Sequence, residues 1–197
     1  MTSLHTFDLQ TLPAMAWKNG GGVTREIVRE PAGASLDDFD WRVSVADIAA
    51  AGPFSRFLGI DRHLLLLEGN GVNLTSDEAG LNVNLLADDT VLAFSGDVDM
   101  DSQLLGGSER DFNVMTKRGV WQAQVNVWTE AGSVQAQAGL VLQTQGQACC
   151  SFAEGDVTFA IGQGGWWQEG VKTLHWQPLS DDAKAIVVVL CAFDAQS

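Results

Sequence analysis

Short runs of alternating apolar and polar residues extend along most of this chain, and they constrain its fold more than any other feature. The segment DWRVSVADI alternates with a period of two, and one of its faces carries Trp41, Val43 and Val45. Arg42 and Ser44 occupy the opposite face of the same predicted strand. Similar runs recur every eight to twelve residues or so, separated by turn residues, and no segment has a convincing helical period. The sequence therefore predicts an all-β protein, either a sandwich or a closed barrel.

The connection between two of these runs is predicted from its turn residues. In HLLLLEGNGVNLTS an apolar run is followed by Glu68-Gly69-Asn70-Gly71 and then by a second alternating run. Glycine and asparagine between two strand patterns are typical of a tight turn, so this segment predicts a β-hairpin.

The length of the chain allows one large domain or two small ones. It has 197 residues, of which 46% are hydrophobic and 18% charged, which is enough apolar material for a buried core. No Pro-rich or Ser-rich linker divides it, and the segment TKRGVWQ around Gly119 is one of the softest places for a boundary. We predict two β-lobes that share a core, residues 1–120 and residues 121–197. A single extended barrel is the alternative.

Charge and cysteine content exclude several classes of protein. The net charge of −14 repels phosphate backbones and anionic lipid, so we expect neither a nucleic-acid partner nor a membrane partner. The N-terminal MTSLHTFDLQ lacks the basic flank and apolar run of a secretory signal, and no stretch approaches the roughly 18 apolar residues of a spanning helix. Three cysteines, two of them adjacent, suit neither a disulfide framework nor spaced zinc-ligand pairs. We therefore expect a reduced, cytoplasmic protein.

A lysine, an asparagine and three glycines follow Trp17 and precede the strand-like VTREIV. A phosphate-binding loop would place the lysine after the glycines and continue into a helix, so that interpretation fails. Two interpretations remain. The backbone N–H groups beside Lys18 and Asn19 cradle a carboxylate, or the glycines form a plain bend at the rim of a barrel. Composition alone favours the bend.

Two polar faces are the other candidate binding elements. Arg42 and Ser44 either line a small pocket inside a barrel or lie in solvent, and the sequence leaves both interpretations open. In SERDFNVMTKRG, Asp111 and Asn113 alternate with apolar residues, and three basic residues flank them: Arg110, Lys117 and Arg118. A chain with only eleven basic residues makes that cluster unusual, although a charged turn at each end of a core strand would explain it equally well.

No catalytic or metal-binding motif is recognisable. The histidines, His5, His63 and His175, are far apart in sequence, and the chain contains neither His-x-His nor His-Glu-x-x-His. No Gly-x-Ser-x-Gly occurs, and no base lies close to the adjacent cysteines. The sequence therefore gives no support for metal or nucleophilic catalysis.

Five segments of the first 120 residues together resemble the HutD/Ves family of the cupin superfamily. They are WKNGGGVTREI, FDWRVSVADI, GPFSRFLGIDR, LLEGNG and LLGGSERDFNVM, in that order. The resemblance implies a cupin-type double-stranded β-helix, or jelly-roll barrel, built as a bicupin with a smaller second β-lobe. Cupin enzymes usually bind metal through His-x-His, a later glutamate and a further histidine. Here only His63 and Glu68 fall in the first of those regions and no histidine falls between Phe94 and Asp97, so we expect no metal and no cofactor.

The family is associated with histidine utilisation, and its proposed role is to bind a pathway intermediate such as urocanate or formylglutamate. The resemblance thus implies a non-catalytic protein that binds a small carboxylate. An acidic protein must gather positive charge and N–H donors locally to hold such a ligand. The ligand-binding residues that we predict are Lys18, which we expect to be the main anion anchor, with Asn19, Gly20, Gly21, Gly22, Thr24, Arg42, Ser44 and Asn113.

Two other functions are compatible with the same sequence. One is a metal-independent isomerase or lyase that uses Glu68 or His63 as its acid or base. The other is a protein-interaction module in which the glycine segment serves an oligomeric interface. Cupins are often dimeric, so a homodimer is an expectation for any of the three.

Overall fold

The computed structural model describes residues 4–168 and 170–193. Every regular element in this part of the chain is a β-strand, which confirms the predicted all-β class. The same residues contain no helix of the length and apolar character needed to cross a membrane. The chain divides into two compact units: Pro13 to Trp121 form the first unit, and the residues before Pro13 together with those after Trp121 form the second.

The first unit contains two antiparallel sheets. Its strands, numbered along the whole chain, are β2 (Ala14–Ala16), β3 (Gly22–Glu30), β4 (Trp41–Ile48), β5 (Gly52–Phe54), β6 (Ile60–Glu68), β7 (Val72–Ser76), β8 (Leu81–Leu85), β9 (Leu92–Ser95), β10 (Met100–Leu104) and β11 (Glu109–Lys117). One sheet has the order β2-β3-β4-β11-β6-β9 and the other has the order β5-β10-β7-β8. Strands β4 and β11 lie at the centre of the six-stranded sheet.

The apolar core of the first unit lies between these two sheets. Leu64 and Leu66 of β6 pack against buried residues of the four-stranded sheet: Val72, Leu74, Leu85 and Met100. We call the face of the six-stranded sheet that carries Leu64 and Leu66 its inner face. Side chains on this face beside Leu64 and Leu66 point into the space between the sheets.

The predicted hairpin at Gly69-Asn70-Gly71 is wrong, although the turn itself is present. Strand β6 belongs to the six-stranded sheet and β7 to the four-stranded sheet, so the chain crosses from one sheet to the other at this turn. The carboxylate of Glu109 fixes the crossing, because it accepts hydrogen bonds from the backbone N–H of Asn70 at 3.1 Å and of Gly71 at 3.0 Å.

The second unit also contains two antiparallel sheets. Its strands are β1 (His5–Asp8), β12 (Trp121–Trp128), β13 (Gly132–Ala136), β14 (Ala138–Gln145), β15 (Ala148–Phe152), β16 (Gly155–Phe159), β17 (Gln163–Trp167), β18 (Lys172–Pro178) and β19 (Lys184–Ala192). The sheet orders are β1-β17-β14-β19-β12 and β13-β18-β15-β16. The core between them includes the large side chains of Trp167 and Trp176. Their indole N–H groups are hydrogen-bonded: Trp167 Nε1 donates to the Ala136 carbonyl at 3.2 Å, and Trp176 Nε1 donates to Gln143 Oε1 at 3.1 Å.

Candidate functional site

The pairing of β4, β11 and β6 places a row of polar residues on the inner face of the first unit. Asn113 is paired with Ser44 on one side and with Leu64 on the other. Directly paired residues of antiparallel strands point to the same side, so Ser44 and Asn113 share the face of Leu64. Arg42 and Asp111 follow two residues away on the same strands, and all four polar residues are at least 92% buried. The interpretation that this face lies in solvent is therefore wrong.

Two arginines flank Met115 on the inner face. Met115 is paired with Arg42 of β4 and with Arg62 of β6. Arg42 Nε donates to Glu26 Oε2 at 2.7 Å, and Arg42 Nη1 lies 3.7 Å from the sulfur of Met115. Glu26 also forms an ion pair with Arg29 at 3.3 Å. The guanidinium of Arg42 is thus held in place by one carboxylate and one thioether.

Arg62 is a buried cation surrounded by aromatic rings. Its guanidinium carbon lies within 6 Å of three ring centroids, those of Phe54, Phe57 and Phe94, at 5.3, 5.6 and 5.0 Å. Burial lowers the pKa of Arg62 to about 10, against the opposing charge of Asp111. At that pKa the side chain keeps its positive charge at neutral pH.

Asp111 is a deeply buried acid of this face, with 2% of its surface exposed. Burial raises its pKa to about 7, while the charge of Arg62, the backbone of Ala46 and the charge of Arg42 act in the opposite direction. Its carboxyl group is therefore balanced between its protonated and ionised forms at neutral pH.

Three polar atoms of this group have no hydrogen-bond partner among the described residues: Arg62 Nε, Asp111 Oδ1 and Asn113 Oδ1. A buried polar group that is left unpaired costs about 1–3 kcal/mol, so native proteins rarely tolerate several together. We call the six side chains Glu26, Arg42, Ser44, Arg62, Asp111 and Asn113 the inner polar cluster. Its unpaired atoms are suited to bind a polar ligand between the two sheets.

The glycine segment forms a tight turn. The N–H of Gly20 donates to the carbonyl of Trp17 at 3.0 Å, and the N–H of Gly21 donates to Oδ1 of Asn19 at 3.0 Å. Gly20 has a φ of +71°, which favours glycine. Two of the N–H groups that were candidates for an anion cradle are thus bonded within the turn.

Gly22 is required for a different reason, since it lies in a crowded space. A Cβ at this position would overlap the backbone carbonyl of Asp47 and lie 3.1 Å from the ring of Trp17. The Trp17 ring is itself fixed, because its Nε1 donates to Thr24 Oγ1 at 2.8 Å. These contacts fit the interpretation of a bend at the rim, and a ligand-binding role for residues 18–22 and Thr24 stays a prediction.

The structure does not bring all predicted ligand-binding residues together. Gly22, next to the Lys18 turn, is paired with Ile48, whereas Arg42 lies six residues from Ile48 along β4. Six residues of a strand span about 20 Å, so the backbone of Arg42 lies far along β4 from the glycine turn. Arg42, Ser44 and Asn113 form the inner part of the predicted set, and the exposed Lys18 belongs to the rim.

Sequence reasoning left three members of the inner polar cluster out of the predicted site: Glu26, Arg62 and Asp111. A signal for Asp111 was present, because it alternates with Phe112 in the same register as Asn113. Arg62 precedes the apolar run HLLLL, and nothing in the sequence shows that β6 lies beside β11.

The residues of the alternative enzymatic function lie apart from this cluster. His63 is paired with Val114, so it points to the face opposite Leu64, and burial lowers its pKa against the charge of Asp61. Glu68 is exposed and accepts a hydrogen bond from Arg110 Nη1 at 2.9 Å. The basic residues at the ends of β11 are likewise paired with acids: Arg110 with Asp47, Lys117 with Asp38, and Arg118 with Asp61 and Asp97.

A metal ion does not fit the donors available. The part of the chain that the structure describes contains no group of three His, Cys, Asp or Glu side chains placed to hold one. The two acids of the inner polar cluster stand beside two arginines, which compete with a cation.

Comparison with known proteins shows which family the chain belongs to. The family model described as HutD matches residues 9–186. The chain is 38% identical over 142 residues to an uncharacterized 21.2 kDa protein in the hutC 3′ region of Pseudomonas putida, which covers 72% of this chain and 73% of that protein. It is 35% identical over 174 residues to protein Ves of Escherichia fergusonii, covering 86% and 85%.

Solved structures agree with these sequence matches. HutD from Pseudomonas fluorescens SBW25 superposes with a TM-score of 0.83 at 26% identity, covering 97% of this chain and all of that chain. An oxalate decarboxylase superposes with a TM-score of 0.67 at 7% identity, covering 98% and 80%, and that likeness concerns the fold alone. The predicted cupin-type fold is confirmed, and the assignment of each unit as a separate cupin lobe stays a prediction.

Proposed function

Because the chain belongs to the HutD family, we propose that it is a non-catalytic protein that binds a small carboxylate at the inner polar cluster of the first unit. By holding an intermediate such as urocanate or formylglutamate, it would modulate histidine utilisation. The observation that carries this proposal is a set of buried cations and unpaired polar atoms on one face of β4, β6 and β11. The hutC region named for the Pseudomonas putida relative supports the pathway.

The local charge of the cluster favours an anion. Arg42 and Arg62 contribute two positive charges to the cluster, and Glu26 contributes one negative charge. Arg29, which lies outside the cluster, adds a third positive charge through its ion pair with Glu26. Asp111 adds at most one more negative charge, because its pKa is raised to about 7. This surplus is unusual in a chain with a net charge of −14, and an incoming carboxylate would balance it.

Arg42 is the cation best placed to bind the carboxylate. Its Nε is occupied by Glu26 and its Nη1 faces Met115, so the guanidinium is held in one orientation before the ligand arrives. These two contacts use Nε and Nη1, which leaves Nη2 to donate to a ligand. A pre-oriented guanidinium loses little conformational freedom when it binds a carboxylate. Ser44, one row away, adds a hydroxyl that can donate to the same ligand.

Thermal unfolding in the presence of candidate ligands tests this proposal. The panel is urocanate, N-formylglutamate, formiminoglutamate, histidine and glutamate, each with and without EDTA. A ligand at about 100 times its Kd adds roughly 2.7 kcal/mol of stability, which is an easily measured rise in Tm. We expect a rise with at least one carboxylate and no effect of EDTA. If no carboxylate raises the Tm, the proposed function is wrong.

A further inference from the structure

The acids on the inner face differ in what they bind. Glu26 accepts from Arg42 at 2.7 Å and pairs with Arg29 at 3.3 Å. Glu109 accepts two backbone N–H groups at the β6–β7 crossing. Asp111 is 2% exposed, and its Oδ1 has no donor among the described residues. It is therefore the one acid of this face, among the described residues, with a buried oxygen left unpaired.

The backbone of Ala46 bonds the Asp111 carboxyl group, and the neighbouring side chains explain why its Oδ1 has no donor. Asp111 is paired with Ala46 on one side and with Leu66 on the other, and neither side chain can donate a hydrogen bond. Thr24 comes next in the row, beyond Ala46, and its hydroxyl forms no hydrogen bond to Asp111 Oδ1. The nearest polar side chains on the same face of β11 are Glu109, which accepts backbone N–H groups, and Asn113, whose Oδ1 is also unpaired.

Among the described residues of the second unit, no buried side-chain polar atom is left unpaired. Its buried Gln143 is bonded through both ends of the amide, since Nε2 donates to the Gln145 carbonyl at 2.6 Å and Oε1 accepts from Trp176. Lys172 is buried and paired with Glu154. Because one unit satisfies its buried polar groups and the other leaves acceptors unpaired, the unpaired acceptors of the first unit indicate a missing partner.

We propose that Asp111 is a specificity-determining residue whose carboxylate accepts a hydrogen bond from an N–H group of the ligand, beside Asn113. This inference rests on the proposed function, in which the ligand's own carboxylate is held by Arg42. The chain then selects small carboxylates that also carry an amide or imidazole N–H, and it discriminates against carboxylates of similar size without a donor.

The chemistry at Asp111 supports this assignment. Its buried carboxylate is stabilised through space by Arg62 and Arg42 and by a hydrogen bond from the backbone of Ala46, but Oδ1 lacks a donor and burial raises the pKa to about 7. A ligand N–H would supply the missing hydrogen bond and favour the ionised form. Hydrogen bonds to charged groups are among the strongest in proteins, so the presence or absence of this donor should decide affinity.

Three probes of equal chain length test the inference: succinamate, monomethyl succinate and succinate. Succinamate and monomethyl succinate have the same charge and nearly the same size, but only succinamate has an N–H donor. In calorimetric titrations of the wild-type protein we expect succinamate to bind at least ten times more tightly than monomethyl succinate. In Asp111→Leu that preference should disappear, and in Asp47→Asn, an acid on the opposite face of β4, it should remain.

The outcomes separate this inference from the proposed function. If monomethyl succinate or succinate binds as tightly as succinamate, the role of Asp111 is wrong while carboxylate binding stands. If none of the three binds and the carboxylates of the thermal panel also fail, both proposals are wrong. The comparison of probes in the wild-type protein remains decisive even if Asp111→Leu fails to fold.

Discussion

Gly20 and Gly22 stand two positions apart in one glycine run, but the structure requires them for different reasons. Gly20 has a φ of +71° and open space where a Cβ would lie. Gly22 faces the carbonyl of Asp47 and the ring of Trp17. The sequence predicted a special backbone here, yet it could not tell a left-handed residue from a crowded one, because crowding depends on β4, which lies more than twenty residues further along.

Alanine substitutions separate these two requirements. We expect Gly20→Ala to lower the free energy of unfolding by about 1 kcal/mol, the cost of a Cβ in the left-handed region. Gly22→Ala should lower it by about 3 kcal/mol, because the new methyl group must displace backbone or the Trp17 ring. Urea unfolding of both variants measures the difference. Equal losses would contradict the close packing of Gly22.

The raised pKa of Asp111 predicts how the free energy of unfolding depends on pH. Its pKa is about 7 in the folded protein against an ordinary value of 3.8, so the folded state holds a proton that the unfolded state releases. Its contribution to stability is fully present below pH 3.8 and is lost as the pH rises to about 7, by up to about 1.4 kcal/mol per pH unit. Urea unfolding between pH 4 and pH 8 should show this fall in the wild-type protein and a shallower one in Asp111→Asn. Parallel curves would contradict the raised pKa.

At the scale of elements, the crossing from β6 to β7 shows what a local sequence pattern can and cannot predict. The pattern predicts the turn, but it does not predict which strands pair on either side of it. Gly69 and Gly71 have φ values of +119° and +121°, so the sequence signal for a turn was physically correct. The pairing of the flanking strands was not encoded in that signal. It depends on Glu109, almost forty residues away, whose carboxylate binds the backbone of the turn.

Removing that carboxylate should loosen the crossing. We expect Glu109→Ala to lower the free energy of unfolding by about 2–4 kcal/mol, because the part-buried N–H of Asn70 and the buried N–H of Gly71 lose a charged acceptor. Glu109→Gln keeps one acceptor oxygen and should lose about half as much. Native-state hydrogen exchange at Asn70 and Gly71 checks the cause, since both amides should exchange faster in Glu109→Ala. Unchanged exchange would contradict the role of Glu109.

At the scale of the whole molecule, much of the architecture could be predicted from the sequence, because it depends on the alternation of apolar and polar residues along each strand. The all-β class follows from the two-residue period, and the polar face of β4 follows from the positions of Arg42 and Ser44. The set of residues that forms the candidate site was harder to predict from the sequence. Arg62 and Asp111 join it only through the register of β6 and β11, and β1 joins the second unit by pairing with β17 across more than 150 residues of sequence. No local pattern carries such long-range pairings.

The net charge of the chain predicts how salt affects ligand capture. An anionic ligand approaches a protein of net charge −14, so the long-range interaction is repulsive until it reaches the buried arginines. Salt screens that repulsion, since the Debye length falls from about 30 Å at 0.01 M to about 10 Å at 0.1 M. The association rate constant of urocanate, measured by stopped flow, should therefore rise between these salt concentrations. A falling rate would indicate attraction by an exposed cation such as Lys18.

The most direct test of the account is a calorimetric titration of urocanate and N-formylglutamate into three proteins: the wild type, Arg42→Met and Arg110→Ala. Both substitutions remove an arginine that is paired with an acid on the six-stranded sheet, but Arg110 bonds Asp47 on the opposite face. Loss of a charged hydrogen-bond donor to the ligand should weaken binding at least ten-fold in Arg42→Met, with Arg110→Ala within about two-fold of the wild type. Wild-type affinity in a folded Arg42→Met protein would contradict carboxylate binding at the inner polar cluster.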